Sequence, residues 1–262
     1  MFCGSSSHKK ECGSGGAGNR CRHTTPITAT PITATPRWSS LGQVTDKPAP
    51  RDVDALLNQL FVGEDPVLTA TLAASDAAGL PSIAVSAQQG KFLNLLASAI
   101  RATRVLEIGT LGGYSTIWLA RAVSPAGSVV TLEYEPRHAE IARANLDGSG
   151  VGDRVQILVG PALKTLPTIT GEPFDLVFID ADKENNANYV DWAVRLSHSG
   201  SVILVDNVIR EGVILDQQST DPTARGSRDV LELLSTHPRL RAATLQTVGA
   251  KGWDGFAMAV VD

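Results

Sequence analysis

RVLEIGTLGGYS, at residues 104–115, decides the fold of this chain. A short apolar strand runs into a glycine-rich loop, and the loop opens a helix. Further apolar, mostly β-branched strands are predicted near residues 128–133, 154–159, 174–179 and 201–206. Strands that are apolar throughout are buried on both faces, which is typical of a parallel sheet covered by helices. The sequence therefore predicts an α/β fold with a doubly wound, mostly parallel sheet.

Helical patterns separate these strands and flank the series at both ends. Helices are predicted near residues 114–123, 136–148, 161–167, 186–197 and 223–236. Before the first strand, apolar residues recur at helical spacing from Asp52, over 67–78 and over 92–100, which predicts N-terminal helices that form a lid. Two strands near 240–247 and 255–261 lie close in sequence, so we expect a C-terminal antiparallel hairpin at the end of the sheet.

The first 50 residues differ in composition from the rest. They are rich in Ser, Gly, Thr and Pro and contain the tandem repeat PITAT-PITAT at 26–35. This composition predicts a disordered tail over residues 1–50, followed by one catalytic domain over 51–262. All three cysteines (Cys3, Cys12 and Cys21) lie in the tail, so we expect no disulfide within the domain.

Charge and hydropathy exclude several classes of protein. The formal net charge is −4, so the chain lacks the basic field expected of a nucleic-acid-binding protein. We find neither an apolar run of about 20 residues, as a membrane span requires, nor the apolar region of a signal peptide. We therefore expect a cytoplasmic protein that binds neither nucleic acid nor membrane.

The loop after the first strand is a candidate cofactor site, since ligands of open α/β sheets bind at the carboxyl ends of the strands. Glycines at 109, 112 and 113 allow close backbone approach, and the next helix offers free N–H groups to a carboxylate. A nicotinamide site is disfavoured because Leu111 stands where G-x-G-x-x-G requires its second glycine. Tight packing of strand and helix is the remaining alternative to a methyl-donor site.

An acidic residue ends the second strand. Glu133 is placed to accept hydrogen bonds from the two ribose hydroxyls of a bound nucleoside. The alternative is an exposed carboxylate at the end of a strand. Downstream, the small residues around Ala162 follow the third strand, where they could lie against an adenine ring without a clash.

Carboxylates also follow the fourth and fifth strands. These strands end in FDLVFIDADK (174–183) and VILVDN (202–207), so Asp180, Asp206 and Asn207 should meet at one edge of the sheet. Neighbouring carboxylates repel unless a proton or a cation intervenes, and oxygen ligands suit a hard ion such as Mg²⁺ or Mn²⁺. Separate solvated acids are one alternative. A glycosyltransferase-like Asp-x-Asp motif is another, but it leaves the glycine loop and Glu133 unexplained.

Three motifs in order resemble one known family. LEIGTLGGYSTIWLA (106–120), PFDLVFIDADKENNANY (173–189) and VILVDNV (202–208) are similar to the cation-dependent catechol and caffeoyl-CoA O-methyltransferases, particularly their bacterial members. The resemblance extends from about Val53 to the end of the chain. It implies a Rossmann-like class I methyltransferase fold, S-adenosylmethionine as methyl donor, a divalent cation (Mg²⁺, or Mn²⁺ or Ca²⁺), and a homodimer.

The resemblance also implies roles for individual residues. Asp180, Asp206 and Asn207 match the metal ligands, and Lys183, with Asp180 beside it, matches the proposed general base. The methyl-donor site would be lined by Val85, Glu107, Gly109, Gly113, Tyr114, Ser115, Glu133, Ala162 and Asp180. For Lys183 an ion pair with Asp182 or Glu184 is the alternative.

The predicted chemistry follows from these groups. A phenol with a pKa of about 10 is a poor nucleophile at neutral pH, and coordination to a divalent ion lowers that pKa. Lys183 could then accept the proton while the oxygen attacks the methyl group. The sequence predicts methylation of a small hydroxylated aromatic acceptor with vicinal hydroxyls. The alternatives are a non-catalytic donor-binding dimeric module and an NAD-dependent oxidoreductase.

Overall fold

Seven strands form the centre of the computed structural model, which describes residues 47–262. They are β1 (Arg104–Ile108), β2 (Ser128–Glu133), β3 (Val155–Val159), β4 (Phe174–Ile179), β5 (Ser197–Asp206), β6 (Leu240–Gly249) and β7 (Gly252–Val261). Their order is β3-β2-β1-β4-β5-β7-β6. Strands β1 to β5 run parallel, and β7 pairs antiparallel with both β5 and β6. The predicted α/β fold and its C-terminal antiparallel hairpin are confirmed.

Helices connect the strands and precede them. They are α1 (Pro50–Leu57), α2 (Pro66–Ala77), α3 (Ala87–Ala99), α4 (Tyr114–Ala122), α5 (Pro136–Gly148), α6 (Ala162–Thr165), α7 (Asn186–Arg195) and α8 (Pro222–Thr236). A π-helical turn, Asn58–Val62, continues α1, and a 3-10 turn, Lys183–Asn185, leads from β4 into α7. Asp65 caps α2 and Ser86 caps α3, each by accepting backbone N–H groups of the first turn.

Each face of the sheet has its own apolar core. Leu106 and Ile108 of β1 point into one cluster, with Val190 of α7 and Val230 of α8. Val105 of β1 points to the opposite cluster, which contains residues of α3 and α4. Because successive strand residues alternate between faces, β1 is buried on both sides. This double burial explains the continuous apolar sequence of the central strands.

The predicted element boundaries agree closely with the structure, with two notable differences. Strand β5 begins at Ser197, four residues before the expected start, since Ser197 pairs with Phe174 across an irregular register. The helix expected over 161–167 is divided, because α6 ends at Thr165 and a 3-10 turn takes over at Leu166–Thr168. Pro167 lacks the N–H group that a continuing α-helix needs.

Two sequence predictions concern the N-terminal region. The predicted tail over residues 1–50 and its three cysteines lie outside the described residues, apart from 47–50, and α1 already begins at Pro50. Between residues 47 and 262, no helix is both long enough and apolar enough to cross a membrane.

A polar cluster joins three strands at the edge of the sheet opposite their carboxyl ends. The Asp175 carboxylate accepts hydrogen bonds from the backbone and hydroxyl of Thr103, from the backbone of Arg104, and from His198 at 2.9 Å. Burial opposes ionisation, but the bond from His198 and then those from Thr103 and Arg104 outweigh it and lower the pKa of Asp175 to about 2. The ionised carboxylate therefore links the starts of β1, β4 and β5.

We expect Asp175→Ala to lower the free energy of unfolding by about 2 kcal/mol at pH 7, because several charge-assisted hydrogen bonds are lost. The stabilisation by Asp175 is present above its ordinary pKa of 3.8 and is lost as pH falls toward about 2. Urea titrations at pH 7 and pH 3 measure both effects, with exposed Asp153→Ala as the control. Equal stability of Asp175→Ala and Asp153→Ala at pH 7 would show that the cluster contributes nothing.

Candidate active site

One large cavity lies at the carboxyl ends of the parallel strands. Its volume is about 820 Å³, and its walls include the loops that follow β1, β2, β3, β4 and β5. The strand order reverses between β1 and β4, and open α/β sheets bind ligands at such a switch point. Helix α2 and the loop before α3 close a further side, in agreement with the lid that the sequence predicted.

The glycine-rich loop forms the floor between β1 and α4. Gly109 has a positive φ of 104°, and a Cβ atom added there would lie 2.8 Å from the carbonyl carbon of Asp180. Only a residue without a side chain allows the loop after β1 to approach the loop after β4 so closely. Gly113 instead faces α5, because an added Cβ would contact Ala142 and Leu146 at 3.5 Å.

Glu133 joins the glycine loop to the end of β2. Its Oε2 accepts the backbone N–H groups of Thr110 and Leu111 at 3.2 and 2.7 Å. Its Oε1 accepts the N–H of Glu135 at 2.9 Å and lies 3.5 Å from Nδ1 of His138. The carboxylate is 8% exposed and lines the cavity. Glu133 is therefore a hydrogen-bonded acceptor in a fixed position, and the alternative of an exposed carboxylate at the end of a strand was wrong.

Glu107 is fully buried beneath the same loop. Its carboxylate accepts hydrogen bonds from the hydroxyls of Ser115, Thr116 and Thr131 at 2.6, 2.5 and 2.7 Å. Because Thr131 donates to Glu107, Thr110 must donate the bond that joins the two threonine hydroxyls at 2.6 Å. Burial raises the pKa of Glu107 to about 7 despite these donors. Glu107 thus orders the start of α4 and the glycine loop from below.

Two carboxylates meet at the ends of β4 and β5. Ile179 and Val205 are register partners, and Asp180 and Asp206 directly follow them. Burial raises the pKa of Asp206, and the negative charge of Asp180 raises it further. Asn207, with a φ of 54°, lines the cavity beside them. The predicted three-residue oxygen cluster is therefore brought together at one edge.

Lys183 lies over this acidic pair. Its side chain is 8% exposed, and Nζ donates to Oδ1 of Asp180 at 2.9 Å. The alternative that Lys183 forms an ion pair with Asp182 or Glu184 was wrong, because its ion-pair partner is Asp180. Asp182 instead accepts bonds from Tyr189 and Asn185, both at 2.5 Å, and Glu184 is exposed.

Most predicted site residues line the cavity. They are Val85, Gly109, Tyr114, Ser115, Glu133, Ala162, Asp180, Lys183 and Asn207. Glu107, Gly113 and Asp206 lie behind this surface, the first under the loop, the second against α5 and the third buried at the end of β5. Their roles in ligand binding stay predictions.

The structure adds residues that the sequence reasoning missed. His138 lines the cavity, and the side chain of Gln89 acts on Asp206 by lowering its pKa. Lys251, at the tip of the β6–β7 hairpin, donates to the carbonyl of Ala84; burial lowers its pKa, while Asp180 and Asp206 oppose that shift. His138 could have been predicted, because it lies in the first turn of the helix that directly follows Glu133. No local pattern reveals that the distant hairpin returns to the site.

The chain has a glycine loop after β1, an acid at the end of β2 and further acids at the ends of β4 and β5. This combination of fold and site is typical of the class I methyltransferases. The sequence profile of the family described as O-methyltransferase matches residues 62–256. The chain belongs to this O-methyltransferase family.

Individual relatives agree with this assignment. The chain is 65% identical to a catechol O-methyltransferase of Mycobacterium tuberculosis, over 82% of this chain and 97% of the relative. It is 46% identical to a catechol O-methyltransferase of Niastella koreensis, over 80% of this chain and 96% of the relative. The crystal structure of a Bacillus cereus O-methyltransferase in complex with SAH superimposes with a TM-score of 0.80, at 49% identity, and covers 81% of this chain and 98% of that one.

We expect Glu107→Gln to remove a pH dependence of stability. Glu107 titrates at about 7 in the folded protein against an ordinary 4.5, so the wild type loses stability as pH rises between these values. Between pH 4.5 and 7.5, urea unfolding should show the wild type losing on the order of 2 kcal/mol relative to Glu107→Gln. Exposed Glu140→Gln should behave like the wild type. Parallel pH profiles for the wild type and Glu107→Gln would contradict this account.

Proposed function

We propose that this protein transfers the methyl group of S-adenosylmethionine to one hydroxyl of a small catechol-like acceptor, with a divalent cation at the acceptor end of its site. One observation carries the proposal. Asp180, Asp206, Asn207 and Lys183 meet at the edge of the same cavity that the glycine loop lines. Membership in the O-methyltransferase family supports the reaction class.

The donor half of the cavity suits a nucleoside with an amino-acid tail. Glu133 lies where ribose hydroxyls would find an acceptor, and the glycine loop leads into the N-terminus of α4, where N–H groups favour a carboxylate. The Bacillus cereus relative holds SAH in its crystal structure. Ser115, which both lines the cavity and donates to Glu107, would connect the bound donor to the buried carboxylate below.

The acceptor half suits a hard divalent cation. Two carboxylates and an amide oxygen supply the ligand types that Mg²⁺ prefers. Burial and the charge of Asp180 raise the pKa of Asp206, so a proton or a cation is favoured beside this pair. Asp180, Asp206 and Asn207 would hold the ion, with Mn²⁺ or Ca²⁺ as alternatives to Mg²⁺. When bound, the cation would lower the pKa of the acceptor hydroxyl and orient the two vicinal oxygens.

Lys183 supplies the group that takes the proton. Its Nζ lies 2.9 Å from Asp180 and so borders the place where the acceptor hydroxyl must lie. In the proposed reaction, Nζ of Lys183 accepts the hydroxyl proton. The oxygen then forms a bond to the methyl carbon as the carbon–sulfur bond breaks, and the bonding electron pair leaves on sulfur to give S-adenosylhomocysteine. The chain itself contributes mainly by holding donor and acceptor in line.

The acceptor class is part of the proposal. Two relatives named catechol O-methyltransferase, at 65% and 46% identity, support vicinal hydroxyls on an aromatic ring. The homodimer and the cytoplasmic location expected from the sequence are retained as parts of the same proposal.

Removal of the cation should abolish the reaction. We expect EDTA, and separately Asp180→Ala, to lower single-turnover methyl transfer to a catechol panel by at least about 100-fold, because a cation contributes several kcal/mol at such a centre. Labelled S-adenosylmethionine measures the transfer, and Asp153→Ala is the control with an unchanged rate.

The outcomes separate the candidate functions. Transfer that is indifferent to EDTA would contradict the proposed cation. Donor binding without transfer to any catechol would favour a non-catalytic binding module, and tight NAD(H) binding would favour an oxidoreductase.

Lys183→Ala should lower the rate constant of methyl transfer by about 10²-fold or more, as expected for loss of a general base. The affinity for S-adenosylhomocysteine, measured by calorimetry, should change little because Lys183 acts on the acceptor. Exposed Lys164→Ala is the matched control. A Lys183→Ala enzyme with the wild-type rate at every pH between 6 and 10 would contradict the role as base.

A further inference from the structure

Helix α8 packs closely against the turn that contains Lys183, and the residue of α8 at this contact is a glycine. Gly226 is buried within α8, and a Cβ atom added there would lie 2.6 Å from the carbonyl carbon of Lys183 and 2.8 Å from Cα of Glu184. The carbonyl oxygen of Lys183 would be closer still. Real Cβ atoms do not approach other heavy atoms this closely, so any other residue would displace either the helix or the turn.

The backbone of Gly226 does not itself require glycine. Its φ lies outside the left-handed region, and glycine is unfavourable inside a helix relative to alanine. The absence of a side chain therefore has a packing reason, which is the close contact of two backbones. The next residue of α8, Ser227, is fully buried, so this part of the helix faces the interior of the domain. Close packing of backbone against backbone therefore holds α8 and the Lys183–Asn185 turn together.

The same segment is confined from the other side. Gly109 of the glycine loop packs against the carbonyl group of Asp180, so residues 180–184 lie between two close contacts to glycine backbone. One contact belongs to the donor loop and the other to α8. With Lys183 only 8% exposed and bonded to Asp180, little room remains for the turn to adjust.

We propose that Gly226 is a positioning residue for Lys183: its bare backbone seats the Lys183–Asn185 turn against α8 and so sets the place of the Lys183 Nζ. This inference rests on the proposed function of Lys183 as proton acceptor. A side chain at 226 moves the turn by about 1 Å, and a shift of that size far from the reacting atoms can lower a rate about 100-fold.

The test compares Gly226→Ala with Gly148→Ala. Gly148 ends α5, and an added Cβ there meets nothing within 4 Å. We expect Gly226→Ala to bind S-adenosylhomocysteine with an affinity within about threefold of wild type while single-turnover methyl transfer falls about 100-fold. Crystal structures should show the Lys183 carbonyl displaced only in Gly226→Ala. A wild-type rate, or lost donor binding, in Gly226→Ala would overturn the proposal.

A double-mutant cycle tests whether the effect passes through Lys183. Because Lys183→Ala already removes the positioned group, adding Gly226→Ala should change its rate by less than about threefold. Effects that multiply would overturn the proposal. A wild-type rate in Lys183→Ala would instead contradict the proposed function, and the displacement of the turn in the Gly226→Ala crystal structure would then decide on Gly226 alone.

A second test weakens the packing of α8 by removing side-chain atoms, so it introduces no steric clash with the turn. Val230 is fully buried on α8, and Val230→Ala leaves a small cavity under the helix. If α8 seats the turn, hydrogen exchange of the amides at 183–185 should become faster in Val230→Ala, while the amides of β1 keep their protection. Unchanged exchange in the turn alongside faster exchange in α8 would overturn the proposal.

Discussion

Two carboxylates at the ends of adjacent parallel strands impose the constraint on which this site depends. Asp180 and Asp206 directly follow register partners of β4 and β5, so the sheet itself fixes their proximity. Asp206 is buried, and its raised pKa reflects that burial and the charge of Asp180. Like charges this close in a low dielectric need a proton or a positive charge. Lys183, three residues after Asp180, and Lys251, in the β6–β7 hairpin, supply part of that positive charge.

The same topology connects this acidic edge to the rest of the cavity. Gly109 lets the donor loop touch the backbone of Asp180, so the two halves of the site share a wall. Beneath the loop, the buried Glu107 carboxylate accepts hydrogen bonds from three hydroxyls. Buried polar networks of this kind are rigid when every member is satisfied. Reaction at one fixed distance between donor and acceptor requires such rigidity.

Much of this arrangement could be predicted from the sequence, and particular residues show why. The strands β1, β2 and β4 matched their predicted bounds because they are buried on both faces and are therefore mostly apolar. The position of Asp180, Asp206 and Asn207 at one edge could be predicted because parallel strands deliver their carboxyl ends to the same edge of the sheet. Lys251 and Gly226 escaped prediction, since their importance comes from contacts with residues far away in sequence. The alternative ion pair of Lys183 with Asp182 or Glu184 was wrong for a local reason, because Tyr189 and Asn185 engage Asp182 while Lys183 bonds to Asp180.

We propose that the acidic pair holds a divalent cation, and Mn²⁺ binding tests this proposal without reference to turnover. Electron paramagnetic resonance of free Mn²⁺ during titration should reveal one site per chain in the wild type. Asp206→Ala should abolish that site while Asp153→Ala retains it, and Mg²⁺ should compete. Equal Mn²⁺ binding by the wild type and Asp206→Ala, or no binding by either, would contradict the account.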